Sequence, residues 1–251
     1  VSRPLQGRFM SVTVSLDAAG RYFATFLCTD VPSKDAPATD REVGIDLGVK
    51  TLATLSNGTK IENPRGLERY ERKLAREQRR LSRRKGARKS EKQSRRYLKQ
   101  RKRVARIHAK IADARTDALH KVTTMLADEN QVLCMEDLNA KGMMKNHHLA
   151  KAVTDASFGE FARLLEYKCA ERGRSFVKIG RFYPSSKTCS ACGHRLDALP
   201  LSVRSWDCPA CGAHHDRDVN AARNILTGGK RILSNTEGTA GHAGTVAATT
   251  A

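Results

Sequence analysis

Apolar and polar side chains alternate near the start of the chain in a way that predicts a β-hairpin. Over residues 8–16, Phe9, Ser11 and Thr13 lie on one side of the strand and apolar residues lie on the other, as in a half-buried strand. A turn that ends at Gly20 leads into an apolar return strand. Because an isolated hairpin is only marginally stable, we expect its sheet to be completed by sequence that precedes this chain.

The next segment, residues 42–62, predicts three consecutive antiparallel strands. An apolar run over residues 43–47 contains one acidic residue, Asp46, and a later Asn-Gly pair at 57–58 favours a tight hairpin turn. An unpaired carboxylate on a buried strand is costly. Asp46 therefore either caps a local turn through Gly48 or binds a metal ion, and the pattern alone favours neither.

Helical periodicity follows in two stretches. Apolar positions recur every three or four residues over residues 67–81 and again over residues 97–125. Gly86 and Ser90 interrupt the pattern between them. We expect two long antiparallel helices joined near residues 85–90, with the apolar stripe forming the seam between the helices.

The positive charge of the chain is concentrated in these helices. The formal net charge is +20, and residues 65–110 hold 21 Lys or Arg against four Glu. A solvated surface is one interpretation, but this charge density favours contact with nucleic acid. A membrane partner is disfavoured because no aromatic anchors line an apolar stripe. The side chains that we expect to contact nucleic acid are Arg76, Arg80, Arg83, Arg84, Lys85, Arg95, Arg96 and Arg103.

Alternating strands and helices are predicted for the following segment. Residues 132–135 predict a buried strand that ends at Glu136, and open α/β sheets place their sites at such strand ends. Residues 139–155 lack a clear period and predict a loop. A helix over residues 158–172 and a buried strand over residues 175–179 follow.

Two Cys-x-x-Cys pairs predict a metal site. Cys189 and Cys192 are separated by fifteen residues from Cys208 and Cys211, which is the spacing of a zinc ribbon. Four thiolates close a tetrahedral site, so the zinc would be structural. A redox role is disfavoured because two matched pairs fit a metal better. The neighbouring histidines, expected behind the ligands or on the surface, are His194, His214 and His215.

A helix and a polar tail are predicted after the cysteines. Residues 218–226 have an acidic first turn, which suits the dipole of a helix that begins there. Residues 227–251 are rich in Gly, Thr and Ala. With so little apolar side chain to bury, they predict a disordered tail.

Three carboxylates are candidates for a common site. Asp46 lies on the first strand of the mixed segment, Glu136 ends the fourth, and Asp218 starts the last helix. They converge if the first and fourth strands are neighbours. They would then repel one another unless cations bind, and hard oxygen ligands suit Mg²⁺ or Mn²⁺. Two such ions about 3.5–4 Å apart can activate a water and stabilise the leaving 3′ oxygen in phosphodiester cleavage.

These predictions together indicate a mixed α/β sheet with a helical insertion and a ribbon. The 251 residues suffice for one large domain or two modest ones. The odd number of cysteines, seven, and their metal-type spacing favour a reducing compartment over a disulfide framework. We expect neither a membrane span nor a signal peptide.

Four ordered motifs resemble the C-terminal half of the TnpB family of bacterial insertion sequences, which is similar to type V CRISPR effectors. They are G-I-D-L-G, M-E-D-L, S-S-K-T-C-S-A-C-G-H and H-D-R-D-V-N-A-A-R-N-I-L, and the resemblance covers residues 42–226. It implies a RuvC-like nuclease domain of RNase H fold with an inserted zinc ribbon. It also implies RNA-guided DNA cleavage in the bacterial cytoplasm, at the nucleoid, with a guide RNA derived from the end of the element.

The resemblance assigns roles to residues of this chain. It implies that Asp46, Glu136 and Asp218 are the catalytic, magnesium-binding carboxylates, with Asn220 following the last of them. It implies zinc binding by the four cysteines named above. The family has further barrel strands and a helical recognition region before the hairpin at residues 8–28. We therefore expect a missing N-terminal region to be needed for recognition of the guide RNA and the target DNA.

Two alternatives to an RNA-guided endonuclease stay open: a zinc-ribbon module that binds nucleic acid without cleaving it, and a transposase that performs strand transfer, because RNase H-like folds host both reactions.

The expected division of the chain follows from its resemblance to the TnpB family. The expected parts are the end of a wedge-like β-barrel (1–31), the first RuvC part (42–63), a basic helical hairpin (64–128), the second RuvC part (129–186), the zinc ribbon (187–215), the third RuvC part (216–226) and the tail (227–251).

Overall fold

The computed structural model describes residues 4–32, 34–85 and 93–237, which fall into two compact units. The first unit joins the N-terminal segment to Arg65–Ala118, and the second joins Asp35–Pro64 to the chain from Leu119 onward. Within the described ranges no helix is both long and apolar enough to cross a lipid bilayer. In chain order the elements are β1 (Arg8–Leu16), β2 (Tyr22–Thr29), β3 (Glu42–Leu47), β4 (Thr51–Leu55), β5 (Lys60–Glu62), α1 (Gly66–Arg83), α2 (Arg95–Glu129), β6 (Val132–Glu136), α3 (Ala140–Met143), α4 (His147–Ala156), α5 (Phe158–Glu171), β7 (Ser175–Ile179), β8 (Ser205–Asp207), β9 (His214–Asp216) and α6 (Arg217–Glu237).

The first unit contains the predicted hairpin. Strands β1 and β2 pair antiparallel, with Val12 opposite Phe26. Gly20 has a φ of 80°, a left-handed conformation that glycine adopts without strain, and its amide donates to the carbonyl oxygen of Asp17 at 3.0 Å. Phe9 packs edge to face on Phe26 with ring centroids 6.1 Å apart. The hairpin prediction is confirmed, but the half-burial expected of its first strand is wrong, because all nine residues of β1 are exposed.

The two predicted helices form the rest of this unit. Leu74 of α1 packs with Val104, Ile107 and Ile111 of α2, so the apolar stripe is the seam between the helices. Gln100 closes the seam with polar contacts, because its Nε2 donates to Glu77 Oε2 at 2.8 Å and to the Glu77 carbonyl oxygen at 3.0 Å. The junction expected near residues 85–90 falls almost entirely on residues 86–92, which lie outside the described ranges.

The second unit is built on a five-stranded sheet in the order β5-β4-β3-β6-β7. Strands β3, β4 and β5 pair antiparallel, whereas β3, β6 and β7 pair parallel. The predicted mixed α/β sheet is therefore confirmed. The first and fourth strands of the chain's mixed segment, β3 and β6, are direct neighbours, which is the condition for the carboxylates to converge.

Helices cover both faces of this sheet. Side chains alternate between the faces of a strand, so Leu133 and Met135 of β6 join one apolar cluster and Cys134 joins the other. The larger cluster packs the sheet against α5 and the end of α2 through Phe161, Leu165 and other residues. The smaller cluster packs it against α6. Gly44 and Asp46 of β3 and Glu136 of β6 are in phase with Cys134, and thus lie on the α6 face.

The loop predicted over residues 139–155 is wrong, because two short helices, α3 and α4, occupy it. The Oδ1 of Asn139 accepts from the Gly142 amide at 2.9 Å and caps α3. Helix α4 buries Val153 and Ala156 in the larger apolar cluster. Because so few apolar side chains of α4 are buried, the sequence of this segment shows no helical period. Tertiary packing therefore decides its conformation.

The disordered tail is also wrong for residues 227–237, which continue helix α6 to Glu237. Ile232 and Leu233 pack against the smaller apolar cluster of the sheet. Gly229 lies so close to the sheet that a Cβ there would meet Cys134 Sγ at 2.2 Å. A glycine that indicated disorder in the sequence thus permits close helix–sheet packing. Residues 238–251 lie outside the described ranges.

Candidate active site and cysteine cluster

The candidate catalytic carboxylates come from three elements that meet on one face of the sheet. Ile45 pairs with Met135 in the parallel ladder, so the next residues, Asp46 and Glu136, occupy adjacent positions on neighbouring strands. Asp218 lies in the first turn of α6, and α6 packs on β3 and β6. The structure therefore brings the three predicted side chains to one region of the second unit.

The electrostatics of this region disfavour negative charge. Burial, followed by the nearby charges of Asp218 and Glu136, raises the pKa of Asp46 to about 7, against an opposing effect of Arg217. Burial and the charge of Asp137 raise the pKa of Glu136 to about 7, against a favourable interaction with the Ser185 hydroxyl. Two carboxyl groups that resist ionisation at neutral pH suit a site that a cation completes.

The three carboxylates interact through their charges, since Asp218 and Glu136 both raise the pKa of Asp46. Asp218 Oδ1 has Arg204 Nη1 3.8 Å away, and both side chains keep solvent contact. Carboxylate oxygens are ligands of the type that Mg²⁺ prefers.

The start of α6 is fixed by a different carboxylate. Asp216 precedes the helix, and its Oδ1 accepts from the amides of Asp218 and Val219 at 3.0 and 3.1 Å, as an N-cap does. Its Oδ2 accepts from Lys60 Nζ at 2.7 Å. Although burial acts in the opposite direction, these hydrogen bonds hold the pKa of Asp216 below its usual value. Asp216 therefore positions the helix, and Asp218 stays available to the site.

Gly44 sets the distance between α6 and the strand that carries Asp46. A Cβ on Gly44 would lie 1.9 Å from the Ala222 carbonyl oxygen and 2.8 Å from the Leu226 amide nitrogen. Both atoms belong to the backbone of α6, so only a residue without a side chain fits. The short spacing brings the first turn of α6 close to the end of β3.

The four predicted zinc ligands form a compact cluster. Cys189, Cys192, Cys208 and Cys211 place all their sulfur atoms within 4.8 Å of one another. The Cys189–Cys211 and Cys192–Cys208 sulfur distances are 3.7 and 3.6 Å. A tetrahedral zinc with bonds of about 2.3 Å separates its sulfurs by about 3.8 Å. The cluster is thus compatible with structural zinc.

The two halves of the cluster have the same backbone geometry. The amide of Gly193 donates to the Cys189 carbonyl oxygen at 2.9 Å, and that of Gly212 donates to the Cys208 carbonyl oxygen at 2.8 Å. Both glycines have positive φ, 79° and 73°. Each Cys-x-x-Cys-Gly segment therefore turns tightly enough to aim two sulfurs at one point.

The histidines near the cluster lie where they were expected. His215 is buried, its Nε2 lies 3.0 Å from Cys189 Sγ, and its ring packs on Trp206 at 4.8 Å. His214 is exposed and pairs with Asp207 at 2.7 Å. His194 is exposed as well. None of the three belongs to the group of four ligands among the described residues.

Sequence reasoning missed the side chains that attach the ribbon to α6. Asn224 Nδ2 donates to the carbonyl oxygens of Ser185 and Thr188 at 2.7 and 2.6 Å. Asn220 Nδ2 donates to the Thr188 oxygen at 2.8 Å, and its Oδ1 accepts from the Ser190 amide at 2.9 Å. We call Asn220 and Asn224 the amide clamp. The sequence offered one indication of this shared role: the two asparagines are four residues apart, and residues four apart lie on one face of a helix.

Arg217 extends this attachment to the far side of the ribbon. Its Nη1 donates to the Pro200 carbonyl oxygen at 2.7 Å and to the Val203 oxygen at 3.3 Å. Its amide donates to the Arg204 oxygen at 2.8 Å. The start of the ribbon and its middle segment, residues 200–204, are thus held by the first two turns of α6, the turns that carry Asp218.

The basic side chains expected to contact nucleic acid are exposed on α1 and α2 of the first unit. Some are already engaged: Arg76 and Arg80 lie 3.5 and 2.9 Å from Glu77, and Arg84 donates to Gln100 at 2.9 Å. Exposure is consistent with the expectation and does not by itself establish contact. The exposed residues of the predicted set are Arg76, Arg80, Arg83, Arg84, Lys85, Arg95, Arg96 and Arg103.

Two family models match the chain. One, described as "Probable transposase" (OrfB_IS605), covers residues 26–147, and one for the TNB domain of Cas12f1-like proteins covers residues 158–225. The first includes Asp46 and Glu136, and the second includes the four cysteines and Asp218.

Several known proteins are similar to this chain. "Putative RNA-guided DNA endonuclease" of Streptomyces pristinaespiralis is 49% identical, over 91% of this chain and 55% of its own length. "Putative RNA-guided DNA endonuclease InsQ" of Escherichia coli K12 is 33% identical, over 93% of this chain and 60% of its own. "TnpB-like protein L79" of a mimivirus is 24% identical over 90% of this chain and 44% of its own. The chain thus spans about half the length of these relatives.

A solved structure supports the fold. The chain superposes on a protein chain of a cryo-EM structure titled as a Cas12f1–sgRNA–target DNA complex with a TM-score of 0.52 and 19% identity. The match covers 86% of this chain and 55% of that one. At this identity the match concerns the fold alone. The chain belongs to the TnpB family. This is established by the four ordered motifs of its own sequence together with the two family models and these relatives.

Proposed function

We propose that the chain is the nuclease part of a transposon-associated, RNA-guided DNA endonuclease, with a RuvC-like site formed by Asp46, Glu136 and Asp218. One observation carries the proposal: three carboxylates from β3, β6 and α6 meet on one sheet face, where burial, followed by the charges of Asp218 and Glu136, raises the pKa of Asp46 to about 7. The accumulated negative charge suits bound metal ions.

The residues present fit two magnesium ions. Bound at these carboxylates, Mg²⁺ would supply the activation of a water and the stabilisation of the 3′ oxygen that leaves. Glu136 and Asp46 would act from adjacent strands, and Asp218 from the helix above them. Burial of Asp46 excludes bulk water from one side of the site, which strengthens its electrostatic interactions. Arg204, 3.8 Å from Asp218, offers a cation for a phosphate at the rim.

The proposed partners are a guide RNA and a target DNA. Relatives that share 49% and 33% of their aligned residues with this chain carry the words RNA-guided DNA endonuclease in their names, and a protein of similar fold was solved with a single guide RNA and target DNA. In this chain the exposed basic side chains of α1 and α2 provide a matching surface. A region that the relatives have beyond this chain would contribute to recognition of guide and target.

A cleavage assay tests this function. The chain, joined to the region that its relatives have beyond it and supplied with a guide RNA and a matching DNA, is expected to cleave in Mg²⁺. It should leave free 3′-hydroxyl ends and stop when a chelator removes the metal. The double variant D46A/E136A is expected to bind RNA as the wild type does and to cleave no faster than background. Cleavage by this variant at the wild-type rate would rule out the assignment.

The same assay addresses strand transfer, the second candidate. The matching family model is described as "Probable transposase", and a carboxylate site permits joining of DNA ends as well as hydrolysis. Joined products in place of free ends would favour the transposase. Nucleic-acid binding without any metal-dependent cleavage would favour a binding module.

The cysteine cluster is proposed to hold one structural zinc. Exchange of Cys189 for serine is expected to lower the zinc content, measured by mass spectrometry, from one per chain to near zero. Cleavage should fail with it, because the ribbon and the first turns of α6 are hydrogen-bonded together. The sheet should stay folded, because its apolar clusters are separate from the cluster around Trp206. The half-buried Ser190 offers a control, because S190A keeps the backbone amide that donates to Asn220. In S190A zinc and activity should persist.

That prediction has a clear contrary outcome. A C189S protein that lacks zinc and cleaves at the wild-type rate would show that the ribbon does not support the site. Circular dichroism distinguishes this outcome from general unfolding, since the helices and sheet dominate the signal.

A further inference from the structure

A cavity of about 320 Å³ lies between the two helices of the first unit. Helix α1 contributes Tyr70 and Lys73, and helix α2 contributes Arg103, Arg106 and Lys110. The α2 residues recur at helical spacing and thus share one face. The volume is at the lower end of the range, about 300–1,000 Å³, in which proteins bind small ligands.

The rim of this cavity is strongly cationic. Four exposed cations surround it, and the single carboxylate among its lining residues, Glu77, already accepts from Gln100 and Arg80 at 2.8 and 2.9 Å. Within the described ranges Lys73, Arg106 and Lys110 form no ion pair. The rim therefore suits an anionic group, and multiply charged phosphate is the natural one.

The floor of the cavity is apolar. Tyr70 is half-buried against the seam between the helices, and Ile107 is buried within it. The guanidinium of Arg69 lies 5.7 Å from the centroid of the Tyr70 ring, within the range of a cation–π contact. An aromatic ring inside a cationic rim is the combination on which unpaired bases stack in proteins that bind single strands.

We infer that this cavity binds one nucleotide of a single-stranded nucleic acid, with the base against Tyr70 and Ile107 and the phosphate beside Arg106 and Lys110. The base must be unpaired, because both faces of a base inside a duplex are covered by its neighbours. This inference rests on the nucleic-acid binding proposed above but not on cleavage. It adds to that proposal a base-binding site outside the carboxylate region and outside the predicted contact set, except for Arg103.

The test measures binding of short single-stranded RNA and DNA of one sequence by fluorescence anisotropy. All proteins carry D46A, so cleavage plays no part, and a failure of the proposed nuclease leaves the test intact. Y70L keeps the apolar packing but removes the ring, and is expected to weaken binding about tenfold with an unchanged salt dependence. Y70F keeps the ring and should bind as the parent protein does. Whether Y70L loses affinity for RNA, for DNA or for both identifies the kind of strand that the cavity accepts.

Strands that lack bases provide the decisive control. The parent protein and Y70L are expected to bind an abasic strand equally, since the lost contact is to the base. R106A, a change at an exposed side chain that leaves the helix seam intact, should weaken binding to both strands and lower the salt slope by about one charge. An unchanged affinity of Y70L for RNA and DNA, an equal loss on abasic strands, or an unchanged salt slope of R106A would each overturn the inference.

Discussion

Exchange of Asp46 for asparagine is expected to abolish cleavage and to make the metal-free protein more stable. The rate should fall by roughly a thousand-fold or more, the scale on which removal of one member of a catalytic group acts. Stability should rise because a neutral asparagine removes the cost of burying a charged carboxylate and its repulsion by Asp218 and Glu136, which together raise the pKa of Asp46 from 3.8 to about 7. Each pKa unit corresponds to about 1.4 kcal/mol, and because Asp46 keeps some solvent contact we expect a gain of about 2 kcal/mol.

The stability that D46N gains over the wild type should increase with pH. Below about pH 4 Asp46 is protonated in the folded and unfolded states, and the variant has no advantage. Between pH 4 and about 7 the unfolded chain ionises first, so the wild type loses stability relative to D46N. Above about pH 7 the difference should stay constant. Urea unfolding of both proteins in a chelator, at pH 4, 6 and 8, measures the difference directly.

Magnesium and a matched variant complete this experiment. Added Mg²⁺ should stabilise the wild type and leave D46N nearly unchanged, because binding to the folded state alone raises stability. Asp40 lies just before β3 and is exposed, so D40N should match the wild type in cleavage and in unfolding. A D46N protein that cleaves normally, or that is less stable than the wild type at pH 8 in chelator, contradicts the assignment of Asp46 to a metal site.

The second large effect is expected at Gly44. Alanine there would place its Cβ 1.9 Å from the carbonyl oxygen of Ala222, an atom of the α6 backbone that cannot rotate away. Either helix α6 moves as a body or its contact with β3 breaks. We therefore expect the free energy of unfolding to fall by about 3 kcal/mol or more, above the usual cost of an overfilled core. Movement of α6 also carries Asp218 away from Asp46, and cleavage should fall even in the fraction that stays folded.

Thermal unfolding and single-turnover cleavage of G44A measure these two effects. Gly159, in helix α5, has open space where a Cβ would lie. G159A should therefore match the wild type or exceed its stability slightly, because alanine restricts the unfolded chain. A G44A protein with the melting temperature and rate of the wild type would show that α6 is not held at the observed distance.

Much of the architecture could be predicted from local pattern. The apolar run of β6 and the helical period of α1 and α2 are strong because each of these elements buries a continuous face. The alternation in β1 is also clear, although all nine residues of this strand are exposed. The four cysteines were equally clear, since their ligand chemistry requires a fixed spacing. The convergence of Asp46 with Glu136 needed one further condition, parallel pairing of β3 and β6, which sequence spacing alone does not decide.

Other features depended on contacts far apart in the chain. Among its described residues, helix α4 buries the apolar side chains of Val153 and Ala156 and has no visible period. The end of α6 packs closely on Cys134 at Gly229. The same holds for the amide clamp, whose partners lie thirty or more residues away along the chain. Propensity is a weak guide wherever long-range packing supplies the free energy of a segment.

The hydrogen bonds from Asn220, Asn224 and Arg217 of α6 to the ribbon use main-chain atoms of the ribbon. These side chains contact carbonyl oxygens and one amide, and none of these contacts requires a particular side chain in the ribbon. Apart from Arg204, which lies 3.8 Å from Asp218, the outward-facing residues of the ribbon are therefore free to change during evolution, or by design, as long as its backbone path and four cysteines persist. New surface chemistry can be introduced beside the acidic site in this way, and the placement of Asp218 is inherited unchanged.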